Sequence, residues 1–281
     1  MPDYVVIGHV TKDLAPDGSF HIGGTATYAA QCADCLGLRV GVVTSTEPDL
    51  PLFADAAAIK VHCHTAQHTT TFENVYTAGQ RRQRIYMVAD SLTQCDIPQG
   101  WEDAPIVHLA PVAREVTPTV AEVFPHAFLG VTPQGWLRSW DGQGRVSFCE
   151  WDEAKQVLAT ADAVVLSLED LGGRRDVLES YVRMGHILVL TVGKEGAIVY
   201  CRGQEERVPA FDVVERDPTG AGDVFAAAYF IRLHETGDAI ESARYANCAA
   251  SFVVETGGTT HLPSREEIAW RMTHGHVRRQ N

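Results

Sequence analysis

Long apolar runs are missing from this chain. No stretch approaches the length a bilayer-spanning helix needs, and Met1-Pro2-Asp3-Tyr4 lacks the basic-then-apolar order of a secretory leader. A cytoplasmic protein without a membrane partner is expected. Basic residues are scarce, with 23 Lys and Arg against 36 Asp and Glu and a formal net charge of −13. The densest basic cluster, Arg81-Arg82 with Arg84, is short, which argues against nucleic acid as a partner. Cysteine is present but unframed. The seven cysteines are odd in number and scattered, so no disulfide scaffold is expected. The Cys32–Cys35 spacing falls inside a helical pattern with no second pair at zinc-site distance. His62, His64 and His68 read as strand alternation and loop in preference to a metal site. Gly8 is not followed by the glycine spacing of a dinucleotide fingerprint, which disfavours a nicotinamide-dependent oxidoreductase.

What remains is an ordinary globular composition, 45% hydrophobic with a mean hydropathy of −0.08. Short β-branched runs recur at Tyr4–Ile7, Val40–Thr44, Ile106–Leu109, Ala127–Val131, Ala163–Leu166 and Ile187–Val192. Helix-like segments lie between or after them, at Ala26–Leu36, Leu50–Ile59, Pro118–Phe124, Asp152–Ala159 and Arg174–Met184. That alternation predicts an α/β fold with a doubly wound, mostly parallel sheet flanked by helices. Val61–His64 reads as a further strand, and Ala197–Tyr200 with Glu206–Val208 as an edge hairpin. The end reads as three helices, Val224–Leu233, Ala239–Glu255 and Arg265–Met272. Two segments differ in kind, about 10–22 and 69–90, where polar alternation and turn residues predict a small β-sheet lid over a single domain spanning 1–281.

The chemistry concentrates at Asp217-Pro218-Thr219-Gly220-Ala221-Gly222-Asp223, directly before an alanine-rich helical run. Gly220, Ala221 and Gly222 fall in the turn that opens the helix, where N–H groups lack partners and the dipole is positive. Small residues there make a phosphate cradle. A carboxylate at Asp223, one position on, suits removal of a proton from a nucleophile attacking that phosphate. The plainer reading is an acidic residue favouring a first helical turn.

The same stretch resembles the second signature of the ribokinase/PfkB family of carbohydrate kinases. Gly23-Gly24 with Ala26, Ala29 and Leu36-Gly37 is similar to the family's glycine-pair helix. Thr191-Val192-Gly193-Lys194-Glu195-Gly196-Ala197 is similar to its nucleotide-side turn, and Asn247 falls where the family has an adenine-flanking asparagine. The resemblance implies transfer of the ATP γ-phosphoryl group, with Mg²⁺ and in many members K⁺, to a hydroxyl of a small sugar, cyclitol or nucleoside. It implies Asp223 as catalytic base and Gly220, Ala221 and Gly222 as the anion hole. Asp13, Gly23 and Gly24 would hold substrate, with Gln134 and Arg84 as further acceptor-side candidates. Ser167, Thr191, Gly193, Gly196 and Asn247 would line the nucleotide pocket. Asp170 would order Mg²⁺ through water, and Asp217 and Thr219 a monovalent cation.

Two departures stand out. The family's Asn-x-x-Glu reads Ser167-Leu168-Glu169-Asp170 here, and Thr132-Pro133-Gln134 lacks the Asn and Arg of many fructose-type kinases. Thr70-Thr71-Phe72-Glu73 and the segment from Gly130 to Arg138 resemble the inositol-kinase branch. A neutral sugar or cyclitol is therefore the first expectation. A nucleoside kinase, or a catalytically silent sugar- or nucleotide-binding regulator, stands as the alternative. Arg138 is read as a surface-loop residue, and a monomer or homodimer is expected.

Overall fold

The structure is a computed structural model that describes residues 1–281 apart from 54, 55, 57, 78, 79, 257–259 and 279–281. The first half of the chain is strand-rich. It forms β1 (Tyr4–Ile7), β2 (Thr11–Leu14), β3 (Phe20–Gly23), α1 (Thr25–Cys35), β4 (Val40–Thr46), β5 (Lys60–Thr65), β6 (Thr71–Thr77) and β7 (Gln80–Met87). Next come β8 (Ile106–Leu109), β9 (Phe128–Val131), β10 (Arg138–Trp140), β11 (Val146–Phe148), α2 (Ala154–Thr160) and β12 (Ala163–Ser167). The remainder is α3 (Arg175–Met184), β13 (Ile187–Thr191), β14 (Ala197–Cys201), β15 (Gln204–Val208), α4 (Ala221–Thr236), α5 (Ala239–Thr256) and α6 (Arg265–His274).

The apolar runs assemble into one nine-stranded sheet ordered β15-β14-β13-β12-β9-β8-β1-β4-β5. Pairing is parallel from β13 through β5, and the β13–β14–β15 edge is antiparallel. Residues of β1 divide by pleat. Tyr4 and Val6 face a core built from α1, α4 and α5, while Val5 and Ile7 face a second core that includes α2 and α3. Burial on both faces explains why these strands read as unbroken apolar runs. Helix α4 is buried from Val224 to Ile231, and a Cβ at Gly130 of β9 would lie 2.5 Å from the Phe230 ring. Only a residue without a side chain admits so close a helix–strand approach.

A separate four-stranded sheet, ordered β3-β2-β6-β7, arises from the two polar segments. It meets the main body through a small cluster of Phe72, Ile85, Val112 and Ala113. Three local expectations change. The described residues of Leu50–Ile59 form no helix: Pro51 follows Leu50, and Asp49 and Phe53 hold φ of 67° and 51°, outside the helical region. Ala54, Asp55 and Ala57 of that stretch, and the Ala78-Gly79 turn of the hairpin, lie outside the described residues. The helix-like segment Pro118–Phe124 is a 3₁₀ turn over Pro118–Val123. The Arg138 region forms the β10–β11 hairpin in place of a loop.

Candidate active site

A cleft of about 1150 Å³ opens between the carboxyl edge of the main sheet and the second sheet. Asp13 and His21 come to it from the second sheet's first hairpin, and Phe72, Asn74 and Gln83 from β6 and β7. Gly24, Thr25 and Tyr28 come from the start of α1, and Gln134, Arg138 and Glu169 from the sheet's carboxyl rim. Asp217, Pro218, Thr219 and Asp223 close the far side with Thr256 and Thr260.

Asp223 sits half-buried in the first turn of α4, where Thr25 Oγ1 donates to its Oδ1 at 2.7 Å. Gly220 precedes the helix with φ 80°. A Cβ there would fall 2.4 Å from the ring of buried Tyr28, so both the left-handed backbone and the contact require glycine. Of the expected anion hole, Ala221 N–H already donates to Pro218 O at 3.1 Å. The N–H groups of Gly222 and Asp223 belong to the helix's first turn, where no intrahelical acceptor exists. A Cβ at Gly222 would meet nothing within 4 Å, leaving approach to these donors open.

Of the glycine pair, Gly23 lies against Asp13. A Cβ at Gly23 would meet Asp13 Oδ2 at 2.2 Å, so the bare backbone makes room for that carboxylate. Thr11 Oγ1 donates to Asp13 Oδ1 at 3.2 Å. Gly24, at φ 87°, caps α1. Asp217 and Thr219 are exposed at the cleft's edge, and Thr219 N–H donates to Asp217 Oδ1 at 2.9 Å.

The nucleotide-side residues gather elsewhere along the same rim. Ser167 and Thr191 are register partners at the ends of β12 and β13. Gly196 turns the chain at φ 99°, and a Cβ there would lie 2.2 Å from Val208 O. Asn247 is buried, and its amide nitrogen donates to Val208 O at 3.0 Å and Pro209 O at 3.3 Å. None of Ser167, Thr191, Gly193, Gly196 and Asn247 is among the residues lining the cleft.

Three expectations are corrected by geometry. Arg84 does not face the cleft; its Nε donates to Gln143 O at 2.7 Å on the outer side. The pleat explains this, because Gln83 lines the cleft and Ile85 is buried while the alternate residues Arg84 and Tyr86 are exposed. Asp170 is turned into its own loop. Its Oδ2 accepts from Ser167 N–H and Oγ, both at 2.8 Å, and its Oδ1 from Gln134 Nε2 at 2.9 Å. The neighbouring Glu169 is the carboxylate that reaches the cleft. Arg138 is no surface-loop residue: Nη1 donates to Val112 O at 2.9 Å, its guanidinium lies 5.4 Å from the Phe72 centroid, and it lines the cleft.

Sequence reasoning also passed over Thr25, Tyr28, Asn74 and Gln83. Asn74 had a signal, since it follows buried Phe72 by two positions and shares its strand face. Behind the rim, His108 is buried between Tyr4 Oη at 2.7 Å and Thr132 Oγ1 at 2.9 Å, and burial pushes its pKa down to about 3.

The chain matches the pfkB family carbohydrate kinase pattern over residues 147–266. It is 30% identical over 215 residues to a fructokinase of Escherichia coli, covering 66% of this chain and 68% of that one. It is 26% identical over 300 residues to a fructokinase of Klebsiella pneumoniae, covering 94% and 97%. Its fold superposes with a TM-score of 0.77 on a pyrophosphate-dependent kinase of the ribokinase family, solved with a pyrophosphate analogue and myo-inositol. That likeness is 24% in sequence and covers 95% and 99% of the two chains. Fold and relatives together define a small-molecule phosphotransferase. Within that class, the chain belongs to the pfkB family of carbohydrate kinases, ribokinase-like in architecture. The family's named members include kinases of sugars and of nucleosides.

Proposed function

We propose that this chain transfers the terminal phosphoryl group of ATP to a hydroxyl of a small sugar or cyclitol, with Asp223 as the general base. The observation that carries this reading is that Asp223 faces the same cleft as Asp13, Gly24 and Gln134, although it lies 198 residues from its partner Thr25. Asp13, with Asn74 and Gln83 beside it, suits the hydroxyls of a polyol. Thr25 holds the Asp223 carboxylate at the cleft, where a carboxylate suits removal of the acceptor's proton. The N–H groups of Gly222 and Asp223 suit the oxygens of the phosphoryl group in transit.

Asp13, Glu169, Asp217 and Asp223 all line this cleft, so a polyphosphate donor requires cations to offset repulsion. The hard oxygen donors present fit Mg²⁺, with Glu169 as its carboxylate, and Asp217 with Thr219 would sit beside a monovalent cation such as K⁺. When bound, Mg²⁺ would neutralise donor phosphate charge.

A second reading of the donor has its own support. Among the described residues, the cleft lining ends at Glu169, Asp217–Thr219, Thr256 and Thr260, and Asn247 is engaged with main-chain carbonyls. Such a cleft suits a compact anhydride, and the structural relative that uses pyrophosphate fits the same view.

The test is product formation across sugars, cyclitols and nucleosides, with ATP and pyrophosphate compared as donors, for wild type and Asp223→Asn. Loss of the base should lower kcat by about 10²–10⁴. Equal turnover by both proteins would remove Asp223 from the chemistry. Saturable binding with no phosphorylated product at any Mg²⁺ concentration would favour a silent regulator.

A further inference from the structure

We infer that Glu115, His9 and Thr70 are positioning residues that set the acceptor half of the cleft, an assignment that rests on the kinase reading above. None of the three lines the cleft. Glu115 is 2% exposed, and a carboxylate so deeply buried is costly unless its oxygens are matched. Backbone N–H groups match them here. Oε1 accepts from His9 N–H at 2.9 Å and Val112 N–H at 3.0 Å, while Oε2 accepts from Val112 at 3.0 Å and Ala113 at 2.7 Å. One side chain therefore ties the turn after β8 to the residue that leaves β1.

Each tie leads to the acceptor side. On the first branch, Val112 O receives Arg138 Nη1, and Val112 with Ala113 packs on Phe72 and Ile85 of the second sheet. On the second, the His9 ring lies fully buried between the two ends of the β6–β7 hairpin. Its Nδ1 is 2.7 Å from Thr70 Oγ1, immediately before β6, and its Nε2 is 2.9 Å from Asp90 O, just after β7.

Proton counting fixes the direction of these bonds. Ala89 N–H donates to Thr70 Oγ1 at 2.9 Å. The Thr70 hydroxyl proton is then free to go to His9 Nδ1, and Nε2–H donates to the Asp90 carbonyl. Every group in the knot is satisfied in that arrangement. Thr70 O also accepts from Lys12 N–H at 2.9 Å, which fastens β2 and hence Asp13 to the same point. Strands carrying Asp13, Asn74 and Gln83 thus leave one buried knot, and Arg138 is set by its other branch.

The experiment compares full-length Thr70→Val, which keeps the shape but loses both hydroxyl bonds, with Thr70→Ser, which keeps them. Loss of a buried pair of hydrogen bonds at the root should raise the acceptor KM about tenfold, with the donor KM unchanged. Hydrogen exchange in β6 and β7 should quicken relative to β12 and β13, and Thr70→Ser should restore both. Glu115→Gln places an amide N–H₂ against N–H donors and should act in the same direction, which covers the case of a Thr70→Val protein that does not fold. Unchanged exchange in β6 and β7, or equal rises in both KM values, would overturn the assignment. If wild type phosphorylates no acceptor, the kinase reading fails, and the exchange comparison still decides whether the knot anchors these strands.

Discussion

Acid should weaken this fold through one ring. His108 lies on β8 with no exposed surface, and burial lowers its pKa from 6.5 to about 3. The ring stays neutral in the folded chain while the unfolded chain takes up a proton below pH 6.5. The group therefore costs no stability above that pH, and its penalty grows as pH falls toward 3. By linkage the penalty rises by about 1.4 kcal/mol per pH unit, reaching about 2 kcal/mol at pH 5. That is a large part of the roughly 5–15 kcal/mol that holds a domain together. The assay is urea unfolding of wild type and His108→Gln at pH 7.5, 6 and 5. The variant starts less stable, because Tyr4 and Thr132 lose a matched partner, but its stability should fall less steeply between pH 6.5 and 5. Parallel pH profiles for the two proteins would refute the reasoning.

Further outcomes follow from the site and the thiols. Gly220→Ala meets a φ of 80° and the Tyr28 ring; it should cost about 1–3 kcal/mol in thermal unfolding and slow phosphoryl transfer by about 10²-fold. Glu169→Gln should raise the Mg²⁺ concentration needed for half-maximal rate, whereas Asp170→Asn should leave it unchanged and lower the melting temperature through the Ser167 and Gln134 bonds, a distinction a magnesium titration reads directly. With a thiol reagent, exposed Cys63 and Cys95 should react in the native protein. Cys32, its thiol pushed far up by burial, and Cys248, pushed up to about 12 by burial, should react only on unfolding, as mass spectrometry of labelled peptides would show.

The parts legible from sequence were those where one physical pattern dominated. Buried parallel strands carry apolar residues on both faces, so Val40–Thr44 and Ala163–Leu166 announce themselves without a partner. The helix start at Gly220–Asp223 was equally plain, because a capping glycine, small residues and an acid coincide. Phase and register were harder. Alternation along β7 is visible in sequence, but which alternate face meets the cleft depends on pairing with β6, so sequence alone does not separate Arg84 from Gln83. The Ser167–Asp170 spacing matched a family pattern, yet the turn closes on itself through Asp170 and leaves Glu169 outward. Three-residue strands such as β10 and β11 are too short to show a period. Glu115 gave no signal, since only folding brings His9 N–H to join the nearby Val112 and Ala113 N–H groups around its carboxylate and buries it.

The bond from Thr25 to Asp223 joins positions 198 residues apart. At roughly 5–20 residues per second, a ribosome needs about 10–40 s to travel between them. By the close of that interval every strand from β1 to β15 has been made, while the apolar face that α4 covers is still wet. Assembly of this cleft must therefore wait for α4, and a chain cut short before it would carry most of the cleft lining but not Asp223.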